Sequence, residues 1–190
     1  MKTVNELIEA AASYHGHLCA GQILGVRMGM AGLKWLGMED LHKNKSLIVY
    51  VETDRCAADA IQTVTGCKLG KRTLKHIDYG KMAATFLDIN KNKAVRIFVP
   101  ANVRELAKKY VNNRDNPYLE AYKMMPDNEL LAFEEVVVDF RPEDLPGKPL
   151  RRIICDKCGE EVNDGREVAV DLKVYCKPCY SKPYYQVIRR

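Results

Sequence analysis

The stretch SLIVYVETDRCAADAIQTVTG, residues 46–66, sets the class of this chain. Its first part, SLIVYVET, is an apolar run rich in β-branched residues, the pattern of a buried strand. Its second part reads as a helix over residues 55–65. Asp54 is the N-cap candidate and Gly66 the C-terminal stop. A strand running straight into a helix places the chain in a mixed class.

Working outward supports that class. Upstream, Val4, Leu7, Ile8 and Ala11 fall at helical spacing, so residues 3–13 read as an amphipathic helix with Thr3 as N-cap. Residues 22–36 read as a second helix, stopped near Gly37. Downstream, TLKHID and AATFLDI read as strands around a YGK turn, and AVRIFVP (94–100) as a third. Residues 103–111 and 117–125 read as helices, and FEEVVVDF (133–140) as a last strand. This order predicts an α+β fold rather than a strict βαβ alternation. RPEDLPGKPLRR (141–152) holds three prolines and a glycine among charges and reads as a linker. The expected organisation is a core over 1–140, a linker over 141–152, and a module with its tail over 153–190.

Composition bounds the class. The chain has 190 residues, 47% of them hydrophobic, enough for a sizeable core. A net charge of +5 argues for no nucleic-acid partner by itself. The most apolar stretch, residues 18–36, is interrupted by Gln22, Arg27 and Lys34, so no membrane span is expected. No basic segment leads into an apolar signal sequence, and a soluble cytoplasmic protein is the expectation. Seven cysteines then read as thiols or metal ligands rather than disulfides.

Four of those cysteines form CDKC (Cys155, Cys158) and CKPC (Cys176, Cys179), with seventeen residues between the pairs. Each CxxC turns two sulfurs towards one point, and four thiolates suit tetrahedral structural zinc. A segment of this size has too little core to fold without a metal. EVAVDLKVYC supplies a short hairpin between the pairs. Such a closed site serves folding rather than catalysis. The terminal KPYYQVIRR offers two tyrosines and two arginines, and reads as a solvated tail.

The remaining cysteines are Cys19, Cys56 and Cys67. Cys19 sits in YHGHLCAG (14–21), which also carries His15 and His17 around Gly16. Two imidazoles and a thiolate suit zinc, nickel or iron, and Gly16 permits backbone angles that let them converge. Cys19 and Cys56 each lie near a helix N-terminus, where backbone donors and the helix dipole favour thiolate. Cys67 follows the far end of the helix that starts at Cys56. At about 1.5 Å per residue the two are about 16 Å apart and share no metal.

Other features are secondary. Gly21, Gly25, Gly29 and Gly32 share one face of the second helix. They predict a close backbone crossing, with a dimer interface as one setting for it. Lys71, Arg72, Lys75 and Lys81 make a basic loop suited to holding an anion near a thiolate, or simply solvated. His76 reads as structural and His42 as a surface residue.

The motifs HGHLCAG and QILGVRMG, then ETDRCAADAIQTVTGC, GK and DYGKMAATF, together resemble the FmdE family over residues 7–140. That family takes its name from the E-type component of formylmethanofuran dehydrogenase. The four-cysteine module resembles the treble-clef or zinc-ribbon tail of some members. The resemblance implies a mixed sheet flanked by helices, a homodimer and an archaeal or anaerobic bacterial source. It also implies a core metal site that takes in His15, His17, Cys19 and Cys56, with Cys67 and Lys81 at further matching positions. Ala20 stands where the family pattern has proline. The E-type component is not the catalytic one, so formylmethanofuran chemistry is not assigned.

Two functions are expected from this reading. In the first, the chain is a metal-dependent enzyme or a redox or one-carbon accessory. Cys56 and His17 are then the catalytic candidates, Lys71 and Lys81 hold a small anionic substrate, and a second metal (zinc, nickel or iron) sits in the core beside the structural zinc. In the second, the chain is a non-catalytic assembly or adaptor protein whose zinc finger docks a protein partner or nucleic acid. The modest charge disfavours nucleic acid.

Overall fold

The computed structural model describes residues 2–38, 46–111 and 117–189. His42 lies outside them. The described chain divides into two units, Met1–Asp139 and Phe140–Arg190.

The first unit opens with α1 (Val4–His15). Thr3 and Glu6 cap it reciprocally: the Thr3 hydroxyl accepts from the Glu6 N–H, and the Glu6 carboxylate accepts from the Thr3 N–H at 2.7 Å. Gly16, in left-handed conformation at φ 97°, ends α1 two residues later than the sequence predicts. The chain turns at once into α2 (Ala20–Leu36), stopped by Gly37 at φ 67°.

Strand β1 (Leu47–Val51) runs into α3 (Cys56–Thr65), as the stretch 46–66 predicts. The N-cap differs from expectation. Arg55 takes that position, not Asp54, and no side chain caps α3; the Thr53 hydroxyl instead accepts from the Arg55 N–H. After a single 3-10 turn, β2 (Leu74–His76) pairs parallel to β1, with α3 as the crossover between them. Strands β3 (Ala83–Asp88), β4 (Lys93–Phe98) and β5 (Ala132–Val136) add antiparallel, giving the order β2-β1-β3-β4-β5. The fold is α+β with a mixed sheet, as expected. β5 ends four residues short of the predicted strand, and Val137 beyond it is exposed.

The apolar face of the sheet, with Val49, Val51, Phe86, Val95 and Ile97, joins Ile8, Ile23, Val26, Ile61 and Val64 of the helices in one buried cluster. The glycine face of α2 makes this packing close. A β-carbon on Gly25 would lie 2.6 Å from the Ala57 carbonyl oxygen and 2.7 Å from the Ala60 β-carbon. One on Gly32 would meet the Phe86 ring at 2.5 Å. The crossing backbone is therefore α3 of the same chain, so the stripe itself carries no argument for a dimer.

Three short helices complete the unit: α4 (Val103–Ala107), α5 (Pro117–Met124) and α6 (Asp127–Leu130). The helix predicted over 103–111 is shorter than expected, and α6 was not predicted. Buried Arg27 of α2 ties down the last two. It donates to the carbonyls of Tyr122, Lys123 and Met125 at the end of α5, and to the Asp127 carboxylate at 2.6 Å. Its charge thus satisfies carbonyls that α5 leaves unpaired.

The second unit contains two hairpins, β6 (Arg152–Ile154) with β7 (Glu161–Asn163) and β8 (Glu167–Val170) with β9 (Lys173–Cys176), followed by α7 (Lys177–Tyr180). The hairpin over 167–176 is the one predicted. The segment read as a linker belongs to this unit. Arg141 donates to the Gly165 carbonyl, Arg166 to Asp144, and Asp164 accepts from the Leu150 N–H. Charged residues of the segment thus pair with the module.

Candidate metal centres

In the second unit, Cys155, Cys158, Cys176 and Cys179 converge, with their sulfurs all within 4.8 Å of one another. The first pair lies in the turn between β6 and β7. The second lies on α7, with Cys176 at its N-cap. The Cys158 and Cys176 sulfurs are 3.8 Å apart, matching the roughly 3.8 Å edge of a tetrahedron with zinc–sulfur bonds of about 2.3 Å. Backbone N–H groups, first that of Cys176, lower the Cys155 thiol to about 6. Contact with the Cys176 sulfur pushes Cys179 up to about 12. Four sulfurs this close cannot all ionise without a cation, which is the electrostatic signature of a metal site.

In the first unit the link between α1 and α2 builds the second cluster. His15 is the last residue of α1, Gly16 makes the left-handed turn, and Cys19 is the N-cap of α2. Ligand atoms of His15, His17 and Cys19 lie within 4.8 Å of one another. The two rings are 4.8 Å apart between centroids. His17 is exposed, while His15 and Cys19 are half-buried. Ala20 is the first helical residue of α2, the position that proline favours, so the departure from the family pattern leaves the turn intact.

Sequence reasoning missed Asp59. Its carboxylate meets His15 Nδ1 at 2.8 Å. A carboxylate there holds the proton on Nδ1 and leaves the Nε2 lone pair for a metal. One clue was present: Asp59 follows Cys56 by three residues, so both share one face of α3.

Cys56 is not one of the three converging ligands, but its sulfur contacts that of Cys19. Burial, and then that contact, raise the Cys56 thiol above its ordinary range. The helix N-terminus predicts thiolate here, and desolvation beside a second sulfur outweighs it. Gln22, fully buried on α2, donates to the Cys56 carbonyl at 2.7 Å and fixes the start of α3. Cys67 is a core residue, 4% exposed, with its thiol raised by burial.

Lys71 and Lys81 are both exposed, and the Lys81 ammonium stands 5.8 Å from the centre of the Tyr79 ring. The cation of the neighbouring cleft is Arg104, itself exposed. A cleft of about 650 Å³ opens next to the cluster, with Ala20, Gly21, Met82, Arg104, Tyr118 and Tyr122 in its lining. Gly21 divides the cleft from the sulfurs, since a β-carbon on it would lie 3.7 Å from the Cys19 sulfur and 3.1 Å from the Cys56 β-carbon. No described helix is long and apolar enough to cross a membrane.

Comparison with known proteins agrees with both units. The family described as "FmdE, Molybdenum formylmethanofuran dehydrogenase operon" matches residues 14–137. The prokaryotic dksA/traR C4-type zinc finger matches residues 149–185. A curated protein of Archaeoglobus fulgidus, named a probable S-adenosyl-L-methionine-binding protein, is 29% identical over 98% of this chain. The chain spans 56% of that relative's length. The crystal structure of a tungsten formylmethanofuran dehydrogenase FmdE-like protein from Syntrophus aciditrophicus is 21% identical, with a TM-score of 0.64 over 97% of this chain and 96% of that one. At that identity it shows the fold alone.

Proposed function

Since the chain belongs to the FmdE family, we propose that it is a metal-dependent enzyme, or a one-carbon or redox accessory, working at a core metal site on a small organic anion. One observation carries this reading. His15, His17 and Cys19 bring two nitrogens and a sulfur within 4.8 Å of one another, beside an open cleft. That donor set suits zinc, nickel or iron, and three protein ligands leave a coordination position free. A bound metal would supply a Lewis acid there.

The protein's own groups have separable roles in this reading. Asp59 fixes the His15 tautomer, Gln22 and the glycine face of α2 hold Cys56 against Cys19, and the cleft admits the substrate. The four-cysteine site is structural. The name of the Archaeoglobus relative adds S-adenosyl-L-methionine to the ligands worth testing.

Elemental analysis tests the reading. Wild-type protein should carry about two metals per chain, and a His17→Ala/Cys19→Ser variant about one, with its circular dichroism unchanged. A wild type with one metal, lost in Cys155→Ser, would leave the core cluster as packing and favour the adaptor role.

A further inference from the structure

We propose that the cleft beside the core cluster is the binding site for an organic carboxylate with a largely apolar body, held at its charged end by Arg104. The binding does not depend on the metal. Any reaction at the end next to Gly21 rests on the metal reading above.

Size is the first argument. A cleft of about 650 Å³ lies within the range of roughly 300–1,000 Å³ that encloses drug-sized molecules, and far exceeds what a bare inorganic anion fills. Its chemistry is the second. Apart from Arg104 and the tyrosine hydroxyls, the lining is apolar, with Leu24, Met82 and Val99 among its walls. Among the described residues it contains no carboxylate. An exposed guanidinium at a largely apolar cleft, with no carboxylate among the described residues of the lining, favours an anion, and its fork geometry suits a carboxylate bound through both oxygens.

The third argument is how the polar groups are held. Tyr118 and Tyr122 lie one turn apart on α5, with ring centroids 5.9 Å apart. Tyr122 is buried and its hydroxyl meets the Arg104 side chain. Arg27 clamps the end of the same helix through its carbonyls. The aromatic wall is thus fixed before any ligand arrives, which lowers the entropy cost of binding. The lining also argues against a cationic ligand. The carboxylate of S-adenosyl-L-methionine could pair with Arg104, but its sulfonium and ammonium would meet no acid among the described residues of the lining.

The test is calorimetric titration of the full chain with naphthalene-2-carboxylate, its neutral amide, and S-adenosyl-L-methionine. Wild type should bind the acid at least about ten-fold more tightly than the amide, the range for a charge-assisted hydrogen bond. Arg104→Gln should lose that preference and Arg104→Lys keep part of it. If Arg104→Gln misfolds by circular dichroism, the wild-type comparison of acid and amide decides alone. Equal binding of acid and amide, an unchanged preference in Arg104→Gln, or S-adenosyl-L-methionine binding more tightly than the acid would each overturn the proposal. Metal content measured on the same samples separates the two readings. Arg104-dependent binding in protein lacking a core metal sinks the metal reading and upholds the cleft. A loaded core without carboxylate preference does the reverse.

Discussion

Replacing Gly25 with alanine should be among the most damaging single-methyl changes in the core. Two effects compete. In an exposed helix, alanine for glycine gains about 1 kcal/mol of helix propensity. Here the new methyl would lie 2.6 Å from the Ala57 carbonyl oxygen, 2.8 Å from its α-carbon and 2.7 Å from the Ala60 β-carbon. Ordinary contact begins about 0.8 Å farther out. The obstacles are backbone and a short side chain, so relief requires α2 and α3 to move apart. Overpacking of this kind costs about 1–3 kcal/mol and sometimes more. A site blocked by backbone belongs at the top of that range, leaving a net loss of about 2 kcal/mol. That corresponds to a fall in Tm of roughly 4–8 °C for a chain of this length. The movement also shifts Cys19, the N-cap of α2, away from Cys56 at the start of α3, so core metal content should fall with stability. Thermal unfolding followed by circular dichroism, with Gly70→Ala as a control in open space, reads the effect. A Gly25→Ala protein as stable as wild type would refute the close crossing of the two helices.

Three further outcomes follow from the same geometry. Arg96→Met should destabilise by about 3 kcal/mol in urea unfolding, because Glu52, 5% exposed, loses both hydrogen bonds from the guanidinium and keeps an uncompensated charge; a loss under about 1 kcal/mol would contradict this. Thr3→Ala should cost about 1 kcal/mol by removing the α1 cap. The Glu6 pKa is lowered, first by the Thr3 N–H and then by the Thr3 hydroxyl; alanine keeps the first bond and loses the second, so only the hydroxyl's share of the difference is present above the ordinary glutamate range and lost as pH falls through the lower folded value, and a difference between variant and wild type that does not shrink at all in acid would contradict the assignment. For the zinc module, each cysteine must lose its proton to ligate, so zinc affinity measured against pH with a chelating indicator should fall steeply as pH drops below the ordinary thiol range; an affinity independent of pH would count against four thiolate ligands.

The parts of this protein that could be read from sequence are those whose partners are close in the chain. β-branched runs located the strands, paired CxxC motifs located the zinc module, and His15, His17 and Cys19 were visible because five positions hold all three. What escaped depends on distant packing. Asp59 is 44 residues from His15, and nothing local to Arg104 marks it as the cation of the neighbouring cleft, while the basic run drew attention to Lys71 and Lys81, which do not line that cleft. The glycine stripe correctly implied a close approach, but a periodicity on one helix does not say which backbone fills it. Cys56 shows a competition between effects: the helix terminus was legible, and the burial and neighbouring sulfur that outweigh it were not. The segment 141–152 looked like a linker because prolines and charges resemble solvated chain until their partners in the module are seen.

A second metal, apart from the four-cysteine zinc, is what the proposed function stands on. Anomalous diffraction from crystals of the protein as purified, recorded at the absorption edge of each metal found by elemental analysis, would locate it. Two peaks per chain are expected, one among Cys155, Cys158, Cys176 and Cys179 and one within bonding distance of His15, His17 and Cys19. A single peak at the four cysteines, in crystals where His15 still meets Asp59, would contradict the core metal site.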